Sequence, residues 1–468
     1  MTGEATYDVV IIGAGPVGEN VADRVVAGGL SAAIVERELV GGECSYWACM
    51  PTKALLRSGA ALRAARRSGA TGTLDPAAVL RRRDGFASHW KDDSQVAWLE
   101  QAGIDLVRGH GRIVAPRTVT VTDEDGRATT LTARHAVVIA TGSAALLPDL
   151  PGLLESEPWT SREAAAAGSI PDRLAIIGGG VVATEMATAF ASLGSAVTVL
   201  ARDGILPAAE PFAGELVTAA LRESGVSVLP GAQVDAVHRD DAGVVRITVA
   251  GSEPVVADQV LVAIGRTPNT TDLGLENLGL ESGAWLTVDD TLRVTDWLYA
   301  VGDVNHRALL THQGKYQARV AGDAIVARTA GAPLDDQPWG RHVATADRAT
   351  VPQVIFTDPE VASAGLTAAA AERAGYRTRV VDYDLGAVAG AALHADGYTG
   401  RARMVVDEDR RVVLGVTFAG PDVAELIHAA TIAIAAQVPI DRLWHAVPAF
   451  PTVSEIWLRL LETYGRPS

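Results

Sequence analysis

Cysteine is almost absent from this chain, which has 2 cysteines in 468 residues. Cys44 and Cys49 cannot complete a structural zinc site, because such a site needs four ligands and no cluster of His or Cys supplies the other two. A disulfide that only stabilises the fold is also unexpected, since 48% of the residues are hydrophobic and can build a core. A redox-active dithiol fits this spacing better than two inert, buried cysteines, because thiol exchange needs two sulfurs close together with one open to attack.

Positive charge and long apolar runs are also scarce. The formal net charge is −16, which argues against a nucleic-acid partner, because phosphate contacts require clustered Lys and Arg. The short basic run Arg81–Arg83 is interpreted as a solvated helix face. No segment approaches the roughly 20 apolar residues of a membrane helix, and Tyr7–Ile12 leads into a glycine turn rather than an export signal. The sequence predicts a soluble cytoplasmic protein with no metal site.

A glycine-rich turn follows the first apolar strand. The fingerprint is Gly13, Gly15 and Gly18, and a helix-like run comes directly after it. Such glycines permit a tight turn, close approach of the backbone to a pyrophosphate, and close packing of the helix on the strand. A second apolar strand ends in Glu36, where a carboxylate can accept a hydrogen bond from a ribose hydroxyl. This unit is predicted to bind an adenine dinucleotide.

The same pattern recurs in the middle of the chain. Gly178 and Gly180 follow another apolar strand, and Ala183 takes the place of the third glycine. At the offset that gives Glu36 in the first unit, the second unit has Ala201 with Arg202 beside it. The missing carboxylate and the neighbouring guanidinium favour NADPH over NADH, with NADH left open. Two dinucleotide sites and a dithiol indicate an electron relay from nicotinamide through a flavin to the disulfide.

Further motifs occur in a fixed order along nearly the whole chain. They are Gly41–Lys53, Ala140–Gly142 with Thr141 inside it, Gly265–Asn269 and Thr295–Asp303. With the two glycine fingerprints, they make the chain resemble the class I pyridine nucleotide-disulfide oxidoreductases, the family of dihydrolipoamide dehydrogenase, glutathione reductase and mercuric reductase. The resemblance implies an α/β fold with two Rossmann-like dinucleotide-binding domains, a C-terminal α+β dimerisation domain, and a homodimer.

The resemblance also implies where the domains begin and end. An FAD-binding domain would occupy residues 1–150, an NAD(P)-binding domain 151–267, a central segment returning to the FAD 268–345, and an interface domain 346–468.

Site residues are carried over from the family motif by motif. Cys44 would be the thiol that meets the substrate and Cys49 the thiol against the flavin, while Lys53 would pair with Glu185 at the edge of the flavin ring. The remaining positions expected to contact FAD are Thr141, Gly142, His110, Asp303 and Thr311. Those expected to contact the nicotinamide nucleotide are Gly178, Gly180, Glu185, Val234 and Gly265. His110 could equally be only a turn residue, and Val234 could equally be only a core residue.

The chain departs from the family where proton transfer is expected. Disulfide-reducing members carry His-Pro-Thr-x-x-Glu near the C-terminus, and this chain has Phe450 in place of the histidine while Glu455 is retained. Phenylalanine cannot act as an acid or a base. His445 is interpreted as a surface or capping residue. Mercuric reductases share the aromatic residue, but they also need a C-terminal cysteine pair, and no cysteine follows Cys49.

The surroundings of the dithiol are also unusual for the family. Tyr46 and Trp47 replace smaller residues and could exclude a large disulfide or offer a stacking surface. Glu43 is expected to raise the pKa of Cys44.

Three functions follow from these features. The first is an NADPH-dependent flavoenzyme that reduces a small acceptor, such as a quinone, without a histidine. The second is a disulfide reductase or dithiol oxidase for a low-molecular-weight thiol, in which a water, Glu455 or a substrate group handles the protons. The third is a redox sensor or scaffold with little turnover. The missing base favours the first function, the intact Cys44 and Cys49 favour the second, and the complete nicotinamide site weighs against the third.

Overall fold

The computed structural model of the chain describes residues 3–466. The strands are β1 (Gly3–Ile12), β2 (Ala32–Glu36), β3 (Asp105–Arg108), β4 (His110–Ala115), β5 (Thr118–Thr122), β6 (Ala128–Ile139), β7 (Ser143–Ala145), β8 (Arg173–Ile177), β9 (Ala196–Ala201), β10 (Ser227–Pro230), β11 (Val234–Arg239), β12 (Val245–Val249), β13 (Val255–Ala257), β14 (Gln259–Val262), β15 (Arg266–Pro268), β16 (Leu298–Ala300), β17 (Pro352–Ile355), β18 (Glu360–Gly365), β19 (Thr378–Asp384), β20 (Arg401–Asp407) and β21 (Val412–Gly420).

The α-helices are α1 (Pro16–Ala27), α2 (Gly42–Tyr46), α3 (Cys49–Arg67), α4 (Pro76–Phe86), α5 (Asp93–Gln101), α6 (Ser161–Ala166), α7 (Val181–Ser192), α8 (Pro211–Glu223), α9 (Thr311–Thr329), α10 (Ala346–Ala349), α11 (Ala368–Arg373), α12 (Ala389–His394), α13 (Ile427–Ala435), α14 (Ile440–Leu443) and α15 (Ile456–Tyr464). Short 3-10 helices span Ser88–Trp90, Leu154–Ser156, Leu275–Leu278, Gly302–Asn305, Leu385–Ala387, Ala424–Leu426 and Val453–Glu455. None of the helices in the described part of the chain has the length and apolarity needed to cross a membrane.

The chain divides into two compact units. The first contains the residues up to Pro51, Asp84–Ala145 and Arg266–Asp347. The second contains Thr52–Arg83, Leu146–Gly265 and the chain from Arg348 onwards. This division does not test the four predicted domain boundaries, which stay predictions.

A seven-stranded sheet forms the first unit. Its order is β3-β2-β1-β6-β5-β4, and β16 also pairs with β6. Strands β3, β2, β1, β6 and β16 pair in parallel, whereas β5 and β4 extend the sheet with antiparallel pairing. Helix α1 connects the parallel neighbours β1 and β2, and it begins with Pro16, which suits the first turn of a helix. This is the βαβ crossover that the first glycine fingerprint predicts.

Two sheets of the second unit also agree with the predicted architecture. Strands β10, β9, β8 and β14 pair in parallel in that order, with helix α7 connecting β8 to β9. Five antiparallel strands, β17-β18-β21-β20-β19, form the C-terminal sheet, and α13 and α15 pack on it. The predicted α/β class, with two Rossmann-like units and a C-terminal α+β domain, is confirmed.

The interpretation of the basic run on α4 is wrong for one of its three residues, Arg83. Arg83 is only 2% exposed, and its guanidinium donates hydrogen bonds to the backbone oxygens of Ala165 and Ala167. Arg82 donates to the backbone oxygen of Ala54. Arg81 and Arg82 are both exposed, and 70% of the Arg81 side chain is accessible. A basic run is read as solvated by default, and the sequence does not show that one of its members faces carbonyl groups of another segment.

Replacing Arg83 with methionine should lower the free energy of unfolding by about 2–4 kcal/mol, because two buried carbonyl groups lose a charged donor. The matched change Arg81→Met should stay within about 0.5 kcal/mol of the wild type, as exposed substitutions usually do. Urea unfolding of the two variants measures the difference. Equal stabilities would contradict the buried role of Arg83.

Candidate active site

The first glycine turn combines close packing with one open position. A Cβ on Gly13 would lie 2.5 Å from the backbone oxygen of Ala140, and a Cβ on Gly18 would lie 1.9 Å from the backbone oxygen of Gly13. A Cβ on Gly15, in contrast, would have no heavy atom of the described residues within 4 Å. Two glycines therefore close the turn and the third leaves space beside the N-terminus of α1. This is the arrangement that a pyrophosphate needs.

Glu36 lies at the end of β2, beside that turn. Its carboxylate accepts hydrogen bonds from the backbone N–H groups of Ala14 and Glu38, each at 2.8 Å. A cavity of about 360 Å³ opens next to it, and its lining includes Glu36, His110, Thr141, Asn269 and Asp272. The predicted site residues Gly13, Glu36, His110 and Thr141 are thus brought together at the carboxyl ends of parallel strands. A carboxylate at the edge of an enclosed space fits the adenosine part of a dinucleotide.

Hydrogen bonds join the motifs that line this cavity. The hydroxyl of Thr141 donates to the backbone oxygen of Asn269 at 2.8 Å, and the Asn269 side chain donates to the backbone oxygen of Thr141 at 2.9 Å. The backbone N–H of Asn269 donates to Gly142. His110 lies opposite, with its Nε2 2.9 Å from the backbone oxygen of Asp272. Segments more than a hundred residues apart are fixed to one another here.

Asp303 is held by two residues that the sequence analysis missed. The hydroxyl of Ser143 donates to the Asp303 carboxylate, and the guanidinium of Arg266 donates to both the hydroxyl and the backbone oxygen of Ser143. Arg266 also lies 3.8 Å from the carboxylates of Asp303 and Glu43. Arg266 lies inside the motif Gly265–Asn269, so its position in that motif could have identified it as a site residue.

The two cysteines contact each other, and both are thiols in the structure. Cys44 lies on α2 and Cys49 begins α3, while the hydroxyl of Thr311 lies 3.3 Å from the Cys49 sulfur. A hydrogen bond with Cys49 and then burial raise the pKa of Cys44, and Thr311 and Lys315 oppose this rise. The upward direction matches the expectation for Cys44. The main cause is the second thiol and not Glu43, whose carboxylate is directed at Arg266.

The proposed stacking surface at Tyr46 is wrong. Tyr46 is 1% exposed, and its hydroxyl donates to the backbone oxygen of Val40 and accepts from the side chain of Gln95. A tyrosine buried in this way anchors α2, the helix that carries Cys44. Trp47 is partly exposed and lies with its ring centroid 5.6 Å from that of Tyr46. The hydrogen-bond partners of a phenol come from other segments, so the sequence alone did not reveal its burial.

In the second unit, Lys53 and Glu185 form an ion pair. Their Nζ and Oε2 atoms are 2.7 Å apart, and the Glu185 side chain is 3% exposed. The other carboxylate oxygen accepts a hydrogen bond from the backbone N–H of Phe356 at 2.9 Å, and the Lys53 ammonium lies 5.3 Å from the centre of the Phe356 ring. Both oxygens of the buried Glu185 thus have partners, so the pair can remain charged.

The second glycine turn repeats the geometry of the first. A Cβ on Gly178 would lie 2.2 Å from the backbone oxygen of Ala263, whereas a Cβ on Gly180 would meet no described heavy atom within 4 Å. Helix α7 begins directly after Gly180, and Ala183 is fully buried on it. Gly265 has a φ of +153°, a conformation that suits glycine. A second dinucleotide fits this turn for the same reason as at the first.

Arg202, the residue expected to favour NADPH, is paired with a neighbouring carboxylate. Arg202 is well exposed and donates to the carboxylate of its neighbour Asp203, with 2.9 Å between Nη2 and Oδ2. The sequence analysis found no carboxylate at the matching offset and did not consider Asp203. Val234 begins β11 and packs partly buried against an apolar cluster, which agrees with the core alternative for this position.

The C-terminal element shows how the chain accommodates the loss of the histidine. Phe450 is 74% exposed. Glu455 is buried and forms an ion pair with Arg459, one turn further along. His445 is exposed, as expected for a surface residue. One Glu455 oxygen therefore pairs with a residue of its own segment, whereas its Oε2 atom is buried with no hydrogen-bond partner among the described residues.

Comparisons with known proteins identify the family of the chain. Residues 7–324 match the family model described as pyridine nucleotide-disulphide oxidoreductase, and residues 351–460 match the dimerisation domain of the same group. A dihydrolipoyl dehydrogenase from Haloferax volcanii is 33% identical over 479 residues, covering 97% of this chain and 95% of the relative. A mercuric reductase from Staphylococcus aureus is 31% identical over 464 residues, covering 97% and 81%.

A solved structure has a similar fold. It is the Cu(II) complex of an HOCl-induced flavoprotein disulfide reductase from Escherichia coli, with a TM-score of 0.84 and 25% identity, covering 98% of this chain and 99% of that one.

Replacing Gly180 with alanine should leave the fold intact and raise KM for the nicotinamide nucleotide by at least about tenfold, because the new methyl group would occupy the space beside the start of α7. Bound FAD should stay at the wild-type ratio. The control is Gly168→Ala, since a Cβ there also meets no described atom within 4 Å but lies away from the turn. Similar KM values for the two variants would show that Gly180 does not face the nucleotide.

Proposed function

Because the chain belongs to the pyridine nucleotide-disulphide oxidoreductase family, whose members bind FAD and NAD(P)H, we propose that it passes electrons from NADPH to a small quinone-like acceptor. Membership makes the protein an FAD-dependent oxidoreductase. The acceptor, the preference for NADPH and the roles of individual residues belong to the proposal.

The choice of acceptor depends on one observation, which is the replacement of the expected histidine by Phe450 and the pairing of Glu455. Phe450 stands in place of the residue that would protonate a leaving thiolate, and the Glu455 carboxylate pairs with Arg459, which also pairs with Glu462. Reduction of a disulfide releases a thiolate that has to be protonated, so it benefits from such an acid. A quinone accepts two electrons and takes its two protons from solvent, so its reduction depends less on a protein acid. The site is therefore better suited to a quinone than to a disulfide.

Individual residues have separate roles in this proposal. Bound FAD supplies the ability to accept a hydride from NADPH and to pass two electrons on. The open space at Gly15 and Gly180 would admit the two pyrophosphates, and Glu36 would hold a ribose hydroxyl. Asp303, fixed by Ser143 and Arg266, would bind the ribityl chain, and Glu185 would keep the Lys53 ammonium charged for the flavin.

A second candidate is reduction of a small disulfide or oxidation of a dithiol. It is favoured by the contact between Cys44 and Cys49, since a quinone can be reduced without any thiol. The Escherichia coli relative is described as a flavoprotein disulfide reductase solved with Cu(II), so Cu(II) joins the acceptors to be compared. The complete nucleotide turns still weigh against a sensor with little turnover.

The assembly and the location are part of the same proposal. The match of residues 351–460 to a dimerisation domain supports a homodimer. Val447 and Phe450 are 86% and 74% exposed, which is unusual for apolar side chains and suits a surface that a second copy covers. A cytoplasmic location remains as expected from the sequence.

Replacing Cys44 with serine should leave most of the NADPH:quinone turnover in place, because electrons can leave the flavin without the dithiol. Disulfide turnover should fall to background, because no mixed disulfide can form at residue 44. Steady-state assays with a benzoquinone, a small disulfide and Cu(II) measure the split. Ser45→Ala, at the next position on α2, is the control for local disturbance.

Loss of quinone turnover in Cys44→Ser, with wild-type rates in Ser45→Ala, would instead favour the dithiol as the electron donor. A further variant tests the argument from the missing acid. If disulfide reduction is limited by that acid, Phe450→His should raise it about a hundredfold or more without affecting quinone turnover.

Nucleotide preference can be tested at Arg202 and its counterion. Arg202→Ala should lower the ratio of kcat/KM for NADPH to that for NADH by about tenfold, the effect of losing one charge-assisted hydrogen bond to a phosphate. Asp203→Ala should raise the ratio, because the guanidinium loses its competing partner. Arg222→Ala, on the exposed side of α8, is the matched control. Unchanged ratios in both variants would remove the case for NADPH.

A further inference from the structure

Helices α1 and α9 approach each other closely in the first unit. A Cβ on Gly314 would lie 2.5 Å from a methyl carbon of Val17, and a Cβ on Gly28 would lie 2.4 Å from a methyl carbon of Val326. An ion pair between Arg24 and Asp323 joins the same two helices further along. Since contacts at both ends fix this packing, the side chains next to Gly314 and Val17 have little freedom to move apart.

Glu19 lies in the first turn of α1, two residues after Val17. Its Oε1 atom is buried and has no hydrogen-bond partner among the described residues. Burial raises the pKa of Glu19 to about 7, Lys315 acts in the opposite direction, and the second carboxylate, Glu36, adds to the rise. The phenol of Tyr46 on α2 also faces this carboxylate. Lys315 is thus the positive charge that favours the ionised form of Glu19 against burial and Glu36.

Lys315 also faces the dithiol. It follows Thr311 by four residues on α9, so the two side chains lie on the same face of the helix. The hydroxyl of Thr311 lies 3.3 Å from the Cys49 sulfur, and the Lys315 ammonium favours the charged form of Cys44. One ammonium group is therefore shared between a buried carboxylate and a pair of hydrogen-bonded thiols. The proposed function assigns a role to the thiols but none to Lys315 or Glu19.

We propose that Lys315 is a positioning residue whose positive charge favours the thiolate form of the Cys44–Cys49 pair, and that Glu19 weakens this effect when its carboxylate is ionised. The proton that a thiol loses passes to water, and no bond other than S–H breaks. The functional meaning of this arrangement rests on the proposed redox role of the dithiol. The effect of Lys315 and Glu19 on the acidity of the thiols does not depend on that role.

The direction of the pH dependence follows from the charges. Below about pH 7 the Glu19 carboxyl is protonated, so the Lys315 charge acts undiminished on the thiols. Above that pH the ionised carboxylate offsets the ammonium group, and the first thiol to ionise does so less readily than it otherwise would. Glu36 and Tyr46 face Glu19 in both ranges, and Lys315 is the cation that links Glu19 to the thiols.

Alkylation of the reduced holoenzyme tests this without turnover. The protein is reduced with a phosphine in the absence of air, and the rate at which iodoacetamide modifies Cys44 and Cys49 is followed by mass spectrometry from pH 5 to 10. Lys315→Met should move the apparent thiol pKa up by about one unit, so that alkylation below that pKa slows about tenfold. Lys315→Arg should restore the wild-type profile, because it retains the charge.

Two further variants complete the test. Glu19→Gln should raise the alkylation rate above pH 7 and leave it unchanged below, because the carboxylate that offsets Lys315 is gone. Arg319→Met removes an exposed positive charge one turn further along the same helix, and it should match the wild type because solvent screens that charge from the thiols. A Lys315→Met profile equal to that of the wild type would overturn the proposal. An unchanged Glu19→Gln profile would overturn the part assigned to Glu19.

The result is distinguishable from a failure of the proposed function. Alkylation needs neither NADPH nor an acceptor, so the thiol profile can shift as expected even if quinone reduction proves wrong. FAD content and thermal unfolding of each variant, measured on the same samples, separate an electrostatic effect from a change in fold.

Discussion

The close contact between helices α1 and α9 is the constraint on which the first unit depends. Gly314 permits this contact because any side chain there would overlap Val17. The start of α1 lies beside the cavity at the ends of the parallel strands, and the start of α9 carries the hydroxyl that meets Cys49. A single helix pair therefore positions both a dinucleotide turn and one side of the dithiol.

Polar contacts between distant segments provide the second constraint. Arg266, Ser143 and Asp303 form one network, and Thr141 with Asn269 forms another. In each network, Thr141 or Ser143 bonds to partners more than a hundred residues further along the chain. They are fixed by hydrogen bonds to charged groups or to backbone atoms, which are stronger or more directional than apolar contacts. The cavity keeps its shape because its walls are bonded to each other.

Most of the fold could be predicted because its signals are local. An apolar strand, a glycine turn and a following helix are adjacent in sequence, so Gly13 and Gly178 identified two βαβ units directly. The cases that failed depend on non-local partners. Arg83 looked like a surface residue because its acceptors at Ala165 and Ala167 lie about eighty residues away. Tyr46 looked like a stacking surface because nothing in its neighbourhood shows that Gln95 covers its hydroxyl.

The sequence by itself determined the two dinucleotide turns, the dithiol and the loss of an acid at Phe450, because each depends on residue type and spacing along the chain. Only the tertiary structure decided which charges face one another. It placed Glu43 near Arg266, paired Glu455 with Arg459, and put Lys315 where its charge lowers the pKa of both Glu19 and Cys44. Electrostatic interaction depends on distance and burial, and neither is fixed until the helices and strands have packed.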